Sequence, residues 1–352
     1  MIDHLKWDEH MPPRIAVLGA GANGASIGAD LTRAGHDVTL IEQWPEHVRA
    51  MQSDGVRIVM PDRTLHVPVV ARDLCDVATL AEPFDVVLIL MKAYDTRWAV
   101  HLIEPLVAHD GVVVGVQNGM TTDAIVEVVG PHRTLGSVIE ISSMMNEPGI
   151  VQRHSPPDRS WFAVGEIAPA PRSRVGEIVE LLSHSGTATP VGDIRATKWM
   201  KLISNCTTLA MTAMLDLPVM TAATDPDVRA LMLRSGQEAA DAGVLLGYQP
   251  LPIFGLSVDD VSKPDRLVEL LLDTLVSGFV LPSTTTTVAH DWSKGRRSEV
   301  ADINGAVVAA HAEHGGAAPV NAALVRMARR IERGESTPGP ERLAELRHLI
   351  GA

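Results

Sequence analysis

Four groups of residues have the types and spacing to do chemistry. Gly19-Ala20-Gly21-Ala22-Asn23-Gly24 is a GxGxxG turn, in which the first glycine permits a tight turn, the second lets a pyrophosphate approach the backbone, and the third allows a helix to pack closely on a sheet. Glu42 follows the next apolar run, where a carboxylate accepts hydrogen bonds from ribose hydroxyls and repels a 2′-phosphate, so it favours NAD over NADP. Lys92, in Met91-Lys92-Ala93-Tyr94-Asp95, and Asn118, in Gln117-Asn118-Gly119-Met120, each follow a strand-like run and can reach a cofactor or an anionic substrate. Lys201 and Asn205 lie one helical turn apart, on one face, and can share a ligand. A lysine beside a developing alkoxide can act as general acid in ketone reduction if partial burial lowers its pKa. Taken alone, a helix lysine is ordinarily a solvated surface residue, and Lys198 is expected to matter little for activity.

The elements that must position these groups follow from hydrophobic period. Ile15-Ala16-Val17-Leu18 is an apolar run that stops at Gly19 and reads as a strand buried on both faces. A helix from Ala25 to Arg33 and a strand at Val38-Thr39-Leu40-Ile41 complete a βαβ unit. Strands at 86–90 and 112–116 flank a helix predicted over 96–107, the alternation of a doubly wound α/β fold. Two extended pieces within 56–70, with 150–152 and 161–164, read as antiparallel additions beside the main sheet. A helix at 172–183 and a strand at 187–191 close this domain. Beyond it the period is helical, over 195–215, 226–246, 264–278, 297–314 and 319–333, and a last short amphipathic helix follows the loop at 334–340. The expected organisation is an N-terminal extension (1–13), a Rossmann-type dinucleotide-binding domain (14–192) and an all-α domain (193–352) that closes over substrate.

Composition excludes other classes. The 352 residues are 46% hydrophobic and 21% charged, the balance of a globular protein long enough for two domains. Four Phe, six Trp and two Tyr leave the core to aliphatic residues. Thirty basic against 43 acidic side chains give a formal charge of −13, a poor surface for nucleic acid or anionic lipid. Cys75 and Cys206 are too isolated for a disulfide framework or a zinc spacing. Cys206, with no base near it in sequence, reads as a small core residue, and His311 and His314 as structural or exposed. No metal is expected. The polar Met1–Arg14 segment does not read as a secretory signal, so none is expected, and no run approaches the ~18 apolar residues of a membrane helix. A cytoplasmic enzyme with a small-molecule substrate, no nucleic-acid or membrane partner, and a homodimer left open is the expectation. Glycine in Asn304-Gly305, inside a helical pattern, costs about 1 kcal/mol relative to alanine and suggests close packing.

In this order the motifs resemble the ketopantoate reductase (2-dehydropantoate 2-reductase) family. Its landmarks are GxGxxG, Lys-Ala, Asn-Gly-Met, Trp-x-Lys-Leu-x-x-Asn and Glu-x-x-x-Ile-Asn-Gly. They correspond to Gly19–Gly24, Lys92-Ala93, Asn118–Met120, Trp199–Asn205 and Glu299–Gly305. The resemblance implies that Lys201 is the general acid, that Asn205 binds substrate, and that Asn118 contacts cofactor and substrate. It places Glu299 near the nicotinamide end of the cleft, matches a substrate-binding serine to Thr287, and gives Ser142 a backbone contact to cofactor. Gly19, Gly21, Asn23, Gly24, Glu42 and Lys92 complete the expected cofactor contacts. Two departures stand out. Glu42-Gln43-Trp44 occupies the place of a basic residue usual in this NADPH-preferring family, and Leu209 replaces a second asparagine of the pantoate-forming members. A substrate hydroxyl buried against leucine would be unsatisfied. The implied reaction is hydride transfer between NAD and C2 of a 2-oxo or 2-hydroxy acid, not specific for ketopantoate. An opine-type or imine reductase and a non-catalytic NAD-sensing module are the alternatives.

Overall fold

A computed structural model of the chain describes residues 12–170, 172–263 and 266–351. Residues 1–11 of the expected N-terminal extension lie outside them. The chain divides into two compact units, Met1–Gln117 with Thr121–Ile194, and Asn118–Met120 with Arg195–Ala352. The Asn-Gly-Met segment, placed by sequence in the first domain, thus clusters with the helical unit.

The first unit runs β1 (Arg14–Leu18), α1 (Ala22–Arg33), β2 (Asp37–Glu42), α2 (Pro45–Asp54), β3 (Val56–Val59), β4 (Thr64–Val67), β5 (Val70–Asp73) and β6 (Phe84–Ile89). It continues through α3 (Thr96–Ile103), β7 (Val107–Val116), α4 (Thr122–Val129), β8 (Thr134–Glu140), β9 (Ser143–Glu147), β10 (Ile150–Arg153), β11 (Trp161–Glu166), α5 (Val175–Leu182) and β12 (Thr187–Pro190). Eight strands form one sheet in the order β12-β11-β8-β7-β6-β1-β2-β5. From β5 to β8 the pairs are parallel, and the chain order reverses between β1 and β6. That reversal is the switch point outside which such sheets bind ligands. The apolar runs are continuous because both faces are covered: Ile15, Ala16, Val17 and Leu18 are fully buried.

Three readings of this unit need correction. Residues 161–164 are not beside the main sheet but within it, antiparallel to β8, because Phe162, Ala163 and Val164 are fully buried. The other extended pieces do form a separate sheet, β4-β3-β10-β9, but β10 joins β3 in parallel. The helix begun at Thr96 ends at Ile103, where Pro105 falls in a tight turn, and Val107 already belongs to β7. Sequence periodicity missed α2, whose polar run buries only His47, Val48 and Met51.

The second unit is all-helical: α6 (Ile194–Leu215), α7 (Val219–Thr224), α8 (Pro226–Leu245), α9 (Val258–Val261), α10 (Leu267–Gly278), α11 (Thr287–Ser293), α12 (Val300–Glu313), α13 (Pro319–Glu332) and α14 (Arg342–Leu349). Long α6 is buried on most sides, and its hydroxyls return to its own backbone: Thr207, Thr208 and Thr212 donate to the carbonyls of Ile203, Ser204 and Thr208 at 2.8–2.9 Å. A polar clamp joins three other helices. The Glu238 carboxylate on α8 accepts the Val320 and Asn321 N–H groups at the start of α13, each at 2.9 Å, where a negative charge suits the helix dipole. Asn304 on α12 donates to Asn321 Oδ1 at 2.8 Å. The Asn304-Gly305 pair is thereby explained by the asparagine. A Cβ on Gly305 meets nothing within 4 Å, so close packing is not the reason for the glycine.

Candidate active site

In the first unit the glycine turn joins β1 to α1, and each glycine answers to a different constraint. Gly19 has φ +98°, and a Cβ there would lie 2.7 Å from Met91 N and 2.8 Å from Leu90 C, so only glycine lets β1 end against the backbone leaving β6. A Cβ on Gly24 would collide with the Gly19 carbonyl oxygen. Gly21, the N-cap of α1, has nothing within 4 Å of its Cβ position. Packing does not require a glycine there, whereas an anion drawn to the helix N-terminus would. The residues therefore fit a dinucleotide diphosphate. Gly19 N–H donates to Ile41 O at 2.9 Å, tying the turn to β2.

Glu42 ends β2 and is buried, and one carboxylate oxygen accepts the Gln43 and Trp44 N–H groups at 2.8 and 3.1 Å. Lys92 sits half-buried just beyond β6. Gln117, at the end of β7, donates to Met91 O and Thr96 Oγ1 at 2.6 and 2.9 Å, bracing the ends of β6 and β7. Ser142 stands just before β9 and is tied to the loop after β10. Its N–H donates to Ser155 Oγ at 2.7 Å and its carbonyl accepts the His154 and Ser155 N–H groups, so its backbone is engaged within the protein. The neighbouring Ser143 hydroxyl instead donates to Asn23 Oδ1 at 2.5 Å.

In the second unit, Lys201, Asn205 and Leu209 follow one another at single turns of α6 and share a face. Asn205 is buried and donates through Nδ2 to Asn118 Oδ1 at 3.1 Å, so the two asparagines act as one group. Lys201 is 9% exposed, with Nζ 4.9 Å from the centre of the Phe254 ring. Phe254 adopts φ +58°, a strained conformation for a bulky side chain, and its ring lies tilted at 46° against that of Phe279, 5.3 Å between centres. Leu209 packs at the margin of the helical core. Its carbonyl accepts the hydroxyl of buried Thr286 at 3.0 Å, and Thr287, the residue matched to a serine, begins α11 beside it.

Glu299 is the buried N-cap residue of α12, and its charge acts on a residue that sequence reasoning dismissed. Lys198 is only 3% exposed. Burial lowers its pKa to about 7, against the opposing pull of Glu299. A lysine one turn from Lys201 reads as a surface residue, and nothing in its local pattern marks it otherwise. His47 is the second omission: it is fully buried, bonded to the Ala20 carbonyl of the glycine turn, and burial lowers its pKa. Cys206 is buried, and burial together with Glu238 pushes its thiol pKa up, the opposite of an activated nucleophile.

Residues 15–167 match the family model for ketopantoate reductase PanE/ApbA, and residues 193–332 match that for its C-terminal domain. The 2-dehydropantoate 2-reductase of Halobacterium salinarum is 29% identical over 90% of this chain and 99% of its own. That of Mesorhizobium japonicum is 28% identical over 70% of this chain and 79% of its own. Among solved structures, a PanE/ApbA family ketopantoate reductase from Ralstonia eutropha superposes with TM-score 0.77 at 26% identity, covering 92% of this chain and 99% of that one. A D-mandelate dehydrogenase bound to NADH and anilino(oxo)acetate shares the fold at TM-score 0.79 and 18% identity, over 91% of this chain and 99% of its own. These comparisons support an oxidoreductase that uses a nicotinamide cofactor on a small-molecule substrate, and lend no support to an imine-reducing or purely cofactor-sensing role. Among the described residues no helix is long and apolar enough to cross a membrane. With both halves of the sequence and the whole architecture matched, the chain belongs to the ketopantoate reductase family.

Proposed function

We propose that the protein transfers a hydride between NAD(H) and C2 of a 2-oxo or 2-hydroxy acid whose side chain is apolar. The observation that carries this reading is the face of α6, where a shielded lysine, an asparagine and a leucine stand at successive turns and the asparagine is bonded to Asn118. In the reducing direction Lys201 Nζ gives its proton to the C2 oxygen, and in the oxidising direction it takes that proton back. With Oδ1 of Asn118 engaged by Asn205, the Asn118 amide offers N–H donors to substrate and cofactor. Leu209 supports an apolar substrate: against it, the hydroxyl of ketopantoate lacks a partner, at a cost of ~1–3 kcal/mol, about a 5- to 150-fold handicap.

Gly19, Gly21, Asn23 and Gly24 would hold the cofactor diphosphate at the start of α1, Glu42 the adenosine ribose, and Lys92 a cofactor oxygen at the sheet's switch point. Glu299 would stand near the nicotinamide. The bound nicotinamide supplies or accepts the hydride. A buried carboxylate followed by Gln43 and Trp44 offers no adjacent cation to a 2′-phosphate, which supports NAD. Steady-state kinetics with NADH and NADPH, over ketopantoate and a set of branched and aromatic 2-oxo acids, tests this reading. The highest kcat/KM is expected for NADH with an apolar acid. If NADPH and ketopantoate give the highest value, the roles assigned to Glu42 and Leu209 are wrong.

A further inference from the structure

An imidazole with no solvent exposure must satisfy both ring nitrogens within the protein, and His47 on α2 does so with two backbone groups. The Gly149 N–H lies 2.9 Å from Nδ1 and can only donate, so Nδ1 carries a lone pair. Nε2 therefore bears the proton and donates it to the Ala20 carbonyl at 2.9 Å. Both ends of this bridge are held. Gly149 has φ +75°, its carbonyl accepts the Arg57 N–H at 2.8 Å, and a Cβ on it would stand 3.1 Å from the Ala50 Cβ. Protonation of the ring would set one N–H against another, and burial opposes it as well.

The other end is the glycine turn itself. In a trans peptide the carbonyl and the following N–H point in opposite directions, so holding the Ala20 carbonyl toward α2 aims the Gly21 N–H away from it. No described residue accepts that N–H. The same face of α1 is fastened at every turn to the second sheet: Asn23 accepts the Ser143 hydroxyl, and Ser26 and Asp30 accept from the buried Arg153 guanidinium at 3.0 and 2.5 Å. The β4-β3-β10-β9 sheet is thus a brace for α1, and His47 on α2, bonded to Gly149 ahead of β10, extends that support to the Ala20 carbonyl at the start of the turn.

We propose that His47 is a positioning residue for cofactor binding: bridging Gly149 and Ala20, it fixes the Ala20–Gly21 peptide so that the Gly21 N–H is presented to a diphosphate oxygen. This rests on the reading of the turn as the diphosphate site. NADH binding, followed by fluorescence without substrate, is measured on full-length wild type, His47→Asn, His47→Gln and Gly21→Val, together with kcat at saturating NADH. Asparagine keeps an acceptor for Gly149 but falls short of Ala20, whereas the glutamine amide reaches the Nε2 position and keeps the bond to Ala20. His47→Asn should weaken NADH binding by roughly 3- to 15-fold, the worth of one hydrogen bond, with kcat at saturation within about twofold of wild type. His47→Gln should restore most of the affinity. Wild-type affinity in His47→Asn, or equal losses in the Asn and Gln variants, overturns the proposal. If Gly21→Val binds NADH like wild type, it is the diphosphate reading that falls. Ring ¹⁵N NMR of the wild-type protein needs no variant to fold: an Nε2–H tautomer at His47 is expected, and an Nδ1–H tautomer contradicts the bridge.

Discussion

In the cofactor site proposed around Gly19–Gly24, the groups offered to a ligand are backbone N–H groups, held by glycine conformation, by the sheet and by the His47–Ala20 hydrogen bond. Along α6 they are side chains, held by a helix whose polar groups are satisfied internally or by one another. The difference decides what each region can change. A backbone cradle tolerates almost no substitution at its glycines, but recognises any ligand with a diphosphate. On the function proposed above, the helix face keeps its proton donor, Lys201, at one turn, while the position two turns on, Leu209, only edges the core and is open to exchange between Leu and Asn. On that proposal, cofactor class is fixed by geometry and substrate choice is open to single residues.

The largest effect that tests this contrast is on chemistry. Lys201→Ala should lower kcat by about 10²- to 10⁴-fold, the range for loss of a general acid, with an unchanged circular dichroism spectrum. A small loss of kcat would remove Lys201 from the reaction. Next comes its buried neighbour. The Lys198 pKa lies near 7 in the folded chain against an ordinary 10.5, so between these values the native state binds fewer protons than the unfolded one. The cost of burying the ammonium is full below about pH 7 and is relieved as pH rises, with a slope of at most about 1.4 kcal/mol per pH unit. Denaturant melts should show wild type gaining stability relative to Lys198→Met from pH 7 toward 10. Parallel pH profiles would mean that Lys198 titrates normally.

Smaller effects concern selectivity. Leu209→Asn should move kcat/KM toward ketopantoate, relative to the best apolar acid, by up to the ~5- to 150-fold that a paired hydroxyl is worth. An unchanged ratio would place Leu209 away from the substrate. Glu42→Ala should narrow the NADH preference by about tenfold or less, read as the ratio of the two cofactors' kcat/KM. No change would make Glu42 only a cap for the Gln43 and Trp44 N–H groups.

The same contrast governs what the sequence reveals. The glycine turn is legible because its constraints are local: a strand, a positive φ at Gly19, a helix start. The helix carrying Lys201 is legible as a helix, but period alone cannot say that its lysines are shielded. The resemblance to a family singled out Lys201, and nothing singled out Lys198, which is buried and feels the charge of Glu299, about a hundred residues further along the chain. His47 stayed hidden for a related reason. It lies in a polar helix without a clear apolar stripe, and both of its partners are backbone groups, which leave no residue signature. The parallel pairing of β3 with β10 joins segments far apart in the chain, a contact that a local pattern does not encode.

The division of labour between the two regions is tested most directly by NADH affinity in two variants measured side by side, Lys201→Ala and Gly21→Val. Lys201→Ala should bind NADH within about twofold of wild type despite its loss of turnover, while Gly21→Val should lose at least about tenfold in affinity because a side chain fills the space over the turn. Tight NADH binding by Gly21→Val, or a loss of binding in Lys201→Ala that matches its loss of kcat, would contradict the account.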